Sequence, residues 1–399
     1  MPLFQRTLYN NMSNIVRLVS ASDVTTRKKQ QGTTERYNAM QDQNILPIGG
    51  IPFADLYDIA HTSALYTDQT TACIPCQGNV NFVLRQYKPI PLPCVFGWSQ
   101  RETQQSWTAL ASSGDGSILY AGNDSIGNRF IYKSIDSGVS WNQTTAPQRR
   151  WSSIATSTDG VKVVAVIFSQ TQTGNIYYSL NSGVTWNTAT AALQNWKSVA
   201  SSSNGQFLVA CCDVGISPPS GGIYTSTDYG ATWALTSAPT SSSWTCVASS
   251  ANGVKLVASM GSFGPNAIYT STNSGASWTL SPFLAFGLFY SVASSSSGTI
   301  LYAGDTNGVW KSTDSGGTWA PSLSHGGAFT SIATSTDGVK VVAVNYGGGV
   351  YRSTNSGATW VQQSSLSPSA NWQEATSSSD GEKLAVAGFT TFIYTGACT

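Results

Sequence analysis

Charge is scarce in this chain. Asp, Glu, Lys and Arg together make up 10% of its 399 residues, and the formal net charge is +1. A protein that tracks a nucleic-acid backbone needs a basic stripe, and none is present. Histidine is scarcer still, with only His61 and His325, far apart in the chain. No apolar run is long enough for a helix to cross a bilayer. The opening stretch "MPLFQRTLYNNMSNIVRLVSASDVTTRKKQQ" lacks the continuous apolar core of a secretory signal peptide. Leu-rich runs at helical spacing are also few, which argues against a helical bundle. Short apolar alternations bounded by Gly, Asn, Asp and Ser recur throughout and predict an all-β chain.

The alternations repeat. One motif appears as "IYKSIDSGVSW" from Ile131, "IYYSLNSGVTW" from Ile176, "IYTSTDYGATW" from Ile223, "IYTSTNSGASW" from Ile268, "VWKSTDSGGTW" from Val309 and "VYRSTNSGATW" from Val350. A second motif alternates with it, starting at Trp107, Trp151, Trp196, Trp244, Phe289, Phe329 and Trp372, at intervals of 40 to 48 residues. That interval is the length of a four-stranded propeller blade. Each unit reads as a strand, a tight turn, a second strand, a variable loop, the "IYxS" strand, the acidic turn and an outer strand. Seven units predict a seven-bladed β-propeller over residues 94–399, preceded by an irregular N-terminal segment, 1–93. The last unit stops one strand into its turn motif, and "CVFGWSQ" (94–100) is expected to complete that blade and close the ring.

The pattern Ser-x-Asp-x-Gly-x-Thr-Trp resembles the Asp-box, or BNR, repeat of sialidases, sortilin-type receptors, some xyloglucanases and a photosystem II assembly factor. The resemblance covers about three quarters of the chain and implies a propeller. It leaves function open, because the family includes enzymes, receptors and assembly factors. The boxed acid is Asp136, Asp228 and Asp314 but Asn181, Asn273 and Asn355. Asn keeps the acceptor oxygen and loses the charge. A turn staple survives that exchange, whereas general-acid chemistry does not, so the position reads as structural. The Asp or Asn oxygen is expected to accept backbone N–H groups, and Gly to supply positive φ. Trp141, Trp186, Trp233, Trp278, Trp319 and Trp360 are expected to pack between sheets. The aromatic set that opens the second motif reads as core between blades, since a binding site would break the sevenfold pattern.

With the boxes on one face, the long variable loops share the other, where function on a rigid scaffold is placed. Their polar candidates are Asp124, Arg129, Arg149, Arg150, Asp213, Asp305 and His325; the alternative is that these are solvated loop charges. A glycosidase needs two carboxyl groups, or a Tyr nucleophile. Outside the tight turns the propeller offers Glu102, Glu374 and Glu382, and the arginines at 101, 129, 149, 150 and 352 do not occupy equivalent places in different blades. The arginine triad and six blades that a sialidase resemblance implies are not matched. The chain is therefore read as a non-enzymatic binding propeller without cofactor or metal. A glycoside hydrolase of sialidase type, a lectin and an assembly factor are kept as alternatives.

Seven cysteines leave an odd count. Cys94 and Cys398 flank the two ends of the closing blade, so a disulfide between them is expected. Cys211, Cys212 and Cys246 lie in apolar strands and read as buried thiols. "CIPC" (73–76) has only His61 nearby and lacks a zinc ligand set. Residues 1–93 hold eight of the twenty Lys and Arg residues, and 22–31 reads as a short basic helix. The run from Met12 resembles leaders of virion proteins of large DNA viruses of algae and protists. That resemblance implies an attachment segment that binds a capsid or other assembly protein, with the propeller displayed on a particle and open to a protein or glycan partner. Asn123 and Asn142 lie in glycosylation sequons.

Overall fold

The structure is a computed structural model that describes residues 15–20, 66–75, 81–89, 96–168, 174–214, 221–261, 266–282 and 287–398. The chain divides into two units, Met1–Val95 and Phe96–Thr399. In the first, strands Ile15–Ser20, Tyr66–Pro75 and Asn81–Pro89 form an antiparallel sheet with Asn81–Pro89 in the middle. The N-terminal segment is thus not irregular throughout. The expected helix at 22–31 lies outside the described residues, as do Cys76 and Cys94.

The second unit is a seven-bladed β-propeller. Blade 1 has strands Trp107–Ser112, Leu119–Asn123, Ile131–Ser134 and Asn142–Gln143, paired in chain order from the innermost outward. The innermost strands of blades 2 to 7 are Trp151–Thr156, Asn195–Ser201, Trp244–Ser249, Ser291–Ser294, Phe329–Thr334 and Ala370–Ser377. Blade 7 is finished by Phe96–Gln105, which pairs antiparallel with Thr391–Cys398, Cys398 opposite Phe96. The closing strand begins two residues later and runs five residues further than the reading 94–100. It covers the full edge of its neighbour, which a seven-residue strand would leave half exposed.

Closure is visible in one set of backbone bonds. Gly114 N–H donates to Thr158, Thr158 to Ser203, Ser203 to Ala251, Ala251 to Ser296, Ser296 to Thr336, Thr336 to Ser379, and Ser379 back to Gly114, all at 2.6–2.9 Å. This belt joins the tight turns between first and second strands, so each blade holds the next. Beneath each belt residue lies a buried serine, Ser113 in blade 1. Its hydroxyl accepts Ile118 N–H at 3.0 Å and donates to Asp115 at 2.6 Å.

The core lies between blades, with one apolar cluster at each of the seven interfaces. Trp107, Trp151, Trp196, Trp244, Phe289, Phe329 and Trp372 are essentially fully buried. Five of these tryptophans meet a third-strand Tyr of their own blade edge-on, Trp196 and Tyr224 at 5.1 Å between centroids. The box tryptophans pack between blades as expected, each against one of the inter-blade clusters, but all six are only half-buried. Their indole N–H groups bond back to the box, as Trp141 does to Gly138 O at 3.0 Å, or to a hydroxyl of the preceding blade, as Trp360 does to Ser322 at 3.1 Å. They seal the rim, because the outer strand beyond them is only two residues long in five of the six blades and cannot cover the ring.

Candidate functional site

The belt turns and the acidic turns lie at one end of the blades, and the variable loops at the other. Comparing the acidic turns shows what Asp and Asn have in common. Asp136 Oδ1 accepts Ser140 N–H at 2.9 Å, and its Oδ2 accepts the Ser140 hydroxyl at 2.6 Å. Asn181 Oδ1 accepts Thr185 N–H at the same 2.9 Å, while its Nδ2 donates to the Thr185 hydroxyl at 2.9 Å. A Ser or Thr hydroxyl can accept or donate by rotating, so both residues close the same turn. Asp228, Asn273, Asp314 and Asn355 repeat the arrangement. Hydroxyl and backbone donors hold Asp136 and Asp314 down to about 2. The residue before each Gly is also left-handed (Ser137 at φ 58°, Tyr229 at 62°), a feature the sequence reading missed.

At the loop end, the first cluster is at blades 1 and 2. Asn123 closes the second strand, fully buried, with its carboxamide donating to Gln105 and accepting Ser125 N–H at 2.6 Å. Its sequon amide is therefore enclosed, whereas Asn142 is exposed. A tight turn follows, closed by Asn128 N–H to Ser125 O at 2.9 Å. Ile126 stands at its tip, 94% exposed. The turn sets Asp124 between two guanidinium groups. Arg150 binds it through Nε and Nη2 at 2.9–3.1 Å, and Arg129 Nε lies 3.1 Å away, off the hydrogen-bond direction. Arg149 is exposed beside them, its backbone N–H on Arg129 O. Two cations thus share one anion, while the Arg149 guanidinium donates to Gln148 O at 2.9 Å and adds a third, exposed positive charge next to Arg150 in the chain.

The remaining candidates lie elsewhere. Asp213 ends a strand of blade 3 and pairs with Lys197 Nζ at 3.3 Å, which also stands 4.2 Å over the Phe168 ring. Neither Lys197 nor Phe168 was singled out in the sequence, because Lys197 occupies an ordinary strand position and Phe168 is an apolar residue at the start of a variable loop. Asp305 is not an accessible loop group, as was expected of it. It is fully buried, bonded through Oδ1 to Asn307 N–H at 2.7 Å, with Oδ2 unpartnered. His325 is exposed and bonds Tyr351 OH at 2.8 Å. No group of three or more His, Cys, Asp or Glu side chains capable of holding a metal occurs among the described residues. Cys211 and Cys212 are buried free thiols, and Cys246 is a half-buried one.

With this geometry in hand, comparisons with known proteins are informative about fold. No protein-family model matches the chain, and no curated protein matches it. The structure of YCF48 bound to D1 peptide is similar, with a TM-score of 0.57 at 14% identity over 76% of this chain and 97% of that one. YCF48 from Cyanidioschyzon merolae is likewise similar, with a TM-score of 0.58 at 16% identity over 75% of this chain and 98% of that one. At such identities the likeness shows a shared fold. The shared fold is the β-propeller.

Proposed function

We propose that this protein is a non-enzymatic binding propeller, a virion-associated component whose N-terminal segment attaches to the particle and whose loop face docks a protein partner through an acidic group. The observation that carries this reading is the cluster of Arg129, Arg149 and Arg150 around Asp124 and Ile126. Arginine forks suit carboxylate recognition, and an exposed aliphatic tip beside them suits a protein surface better than a free anion. Asp124 fixes the Arg150 fork in advance, which lowers the ordering cost of binding. The loop-face carboxylates are engaged in ion pairs or buried, an arrangement suited to positioning rather than proton transfer. That one of the similar propellers holds a peptide is in keeping with this use of the fold.

The particle assignment rests on the resemblance of the run from Met12 to virion leaders.

The test uses the full chain. Binding to a Glu-rich peptide surface should weaken several-fold in Arg149→Glu/Arg150→Glu and fall with salt, with the fold unchanged by circular dichroism. Equal binding by the variant, or binding to a glycan array in its place, would overturn the acidic-partner reading. Mass spectrometry of purified particles should find the chain at fixed stoichiometry. Its presence only in the soluble fraction would remove the virion role.

A further inference from the structure

The six acidic turns share one backbone. Ser137, Ser182, Tyr229, Ser274, Ser315 and Ser356 all stand at φ between 56° and 62°. The N–H three residues after the boxed acid or amide returns to its carbonyl, from Val139 to Asp136 O at 3.4 Å and from Val184 to Asn181 O at 3.2 Å. Against this constant frame two positions vary. The residue before the acid or amide is Thr227, Thr272, Thr313 and Thr354 in blades 3 to 6, and the residue after the Gly is Ala231, Ala276, Gly317 and Ala358. In blades 1 and 2 the same places hold Ile135 with Val139 and Leu180 with Val184. These four side chains are 68%, 63%, 44% and 63% exposed. The turn forms equally well with Thr and Ala, so the aliphatic groups answer no need of the fold.

The two apolar turns are neighbours on the ring and are tied together. Thr145, just beyond the outer strand of blade 1, donates its hydroxyl to Val184 O at 2.7 Å, and Lys133 Nζ of the third strand of blade 1 donates to Ser182 O at 3.1 Å. Both oxygens of Asp136 are taken by Ser140. The pair of turns carries one carboxylate, Asp136, because blade 2 has Asn181 in its place. With that carboxylate and the nearby ammonium both engaged, the rim offers little to a charged partner and much to an apolar one.

We infer that the acidic-turn rim of blades 1 and 2 is a self-association surface, covered by the same rim of a second copy of this chain, the turn of blade 1 in one copy lying on the turn of blade 2 in the other. In a twofold contact each such pairing occurs twice. Asp136 then faces the neutral Asn181 of the other copy, so no like charges meet. Patches of this kind on monomers expose roughly 300–600 Å². Matched with itself, such a patch buries about 600–1,200 Å² in total, which is the size of a weak, reversible interface. The dimer is therefore expected to depend on concentration. It forms at the end of the blades opposite the arginine cluster and does not rest on the acidic-partner reading.

The test is sedimentation velocity of the full chain over a range of concentrations. The parent should pass from monomer to dimer as concentration rises through the micromolar range. In Ile135→Thr/Val139→Ala/Leu180→Thr/Val184→Ala, which gives blades 1 and 2 the side chains of blades 3 to 6, the dissociation constant should rise by about tenfold or more. Salt should leave the parent dimer intact, because the contact is apolar; dissociation by salt would assign it to the arginine cluster and overturn the inference. Asn181→Asp should set carboxylates against each other across the contact and weaken the dimer several-fold, whereas Asn273→Asp, the same exchange in blade 4, should not. A parent that stays monomeric, or a dimer that the fourfold variant leaves unchanged, would overturn the inference. Equal effects of the two Asn variants would overturn the pairing of the blade 1 turn with the blade 2 turn, and this comparison stands even where the fourfold variant fails to fold.

Discussion

At the residue scale the six acidic turns form an internal mutation series. Asp and Asn share one acceptor oxygen, and the hydroxyl four residues on accommodates either partner. Asp136, Asp228 and Asp314 are all held below the usual carboxylate range by hydrogen bonds. Their stabilisation is complete above the unfolded pKa and is lost as pH falls towards about 2. The triple variant Asp136→Asn/Asp228→Asn/Asp314→Asn should match the parent in thermal melting at pH 7 and retain more of its stability at pH 2–3. Equal acid sensitivity of the two would show that the charge of these residues does not matter. Glu374 behaves oppositely. Burial lifts it from 4.5 to about 8, so the folded state holds a proton that the unfolded chain releases above pH 4.5. Stability contributed by this group therefore falls as pH rises from 4.5 to 8, by at most about 1.4 kcal/mol per pH unit and by less because the residue is partly exposed. Glu374→Gln should flatten that part of the stability profile, as followed by urea unfolding.

At the element scale the two aromatic series divide the work. Trp196 is fully buried and stacks edge-on with Tyr224 and at 6.4 Å with Trp233. Truncation to Ala should cost about 3–5 kcal/mol. Trp233 is half-buried, so Trp233→Ala should cost roughly half as much, since burial scales with area. Denaturant unfolding of both variants checks the order, and a larger loss at Trp233 would reverse the assignment of core and rim. In the sequence both series read as packed between sheets, five Trp and two Phe in the inner one and six Trp in the boxes. It does not show which is the more deeply buried, because that depends on how far the outer strand covers the rim.

At the scale of the whole molecule, closure depends on a strand almost three hundred residues from its partner. Phe96–Gln105 contributes backbone pairing along Thr391–Cys398, a Trp98 indole bond to Gln363 at 3.1 Å and a Phe96 ring 4.0 Å from the Arg352 guanidinium. Without it the third strand of blade 7 is an unpaired edge, which is a template for association. A chain beginning at Ser106 should melt at lower temperature and form larger species by light scattering. A monomer of unchanged stability would show that the belt of seven backbone bonds closes the ring unaided.

Repetition along the chain was enough to set the strand order, the number of blades, the end that holds the tight turns and the structural role of the boxed acid, because each follows from local spacing and turn chemistry. Tertiary structure decided the rest. Asp124, Arg129 and Arg150 stand together because a rigid turn brings residues from two blades to one point, while Asp305, alike in sequence, is buried by the loops around it. The belt joins residues with no shared side-chain signal, since it is made of backbone. Glu374 reads in the sequence as one acid in an outwardly ordinary strand. Only the closed ring removes much of it from bulk water, against Ser331 of the neighbouring blade and without a counter-ion.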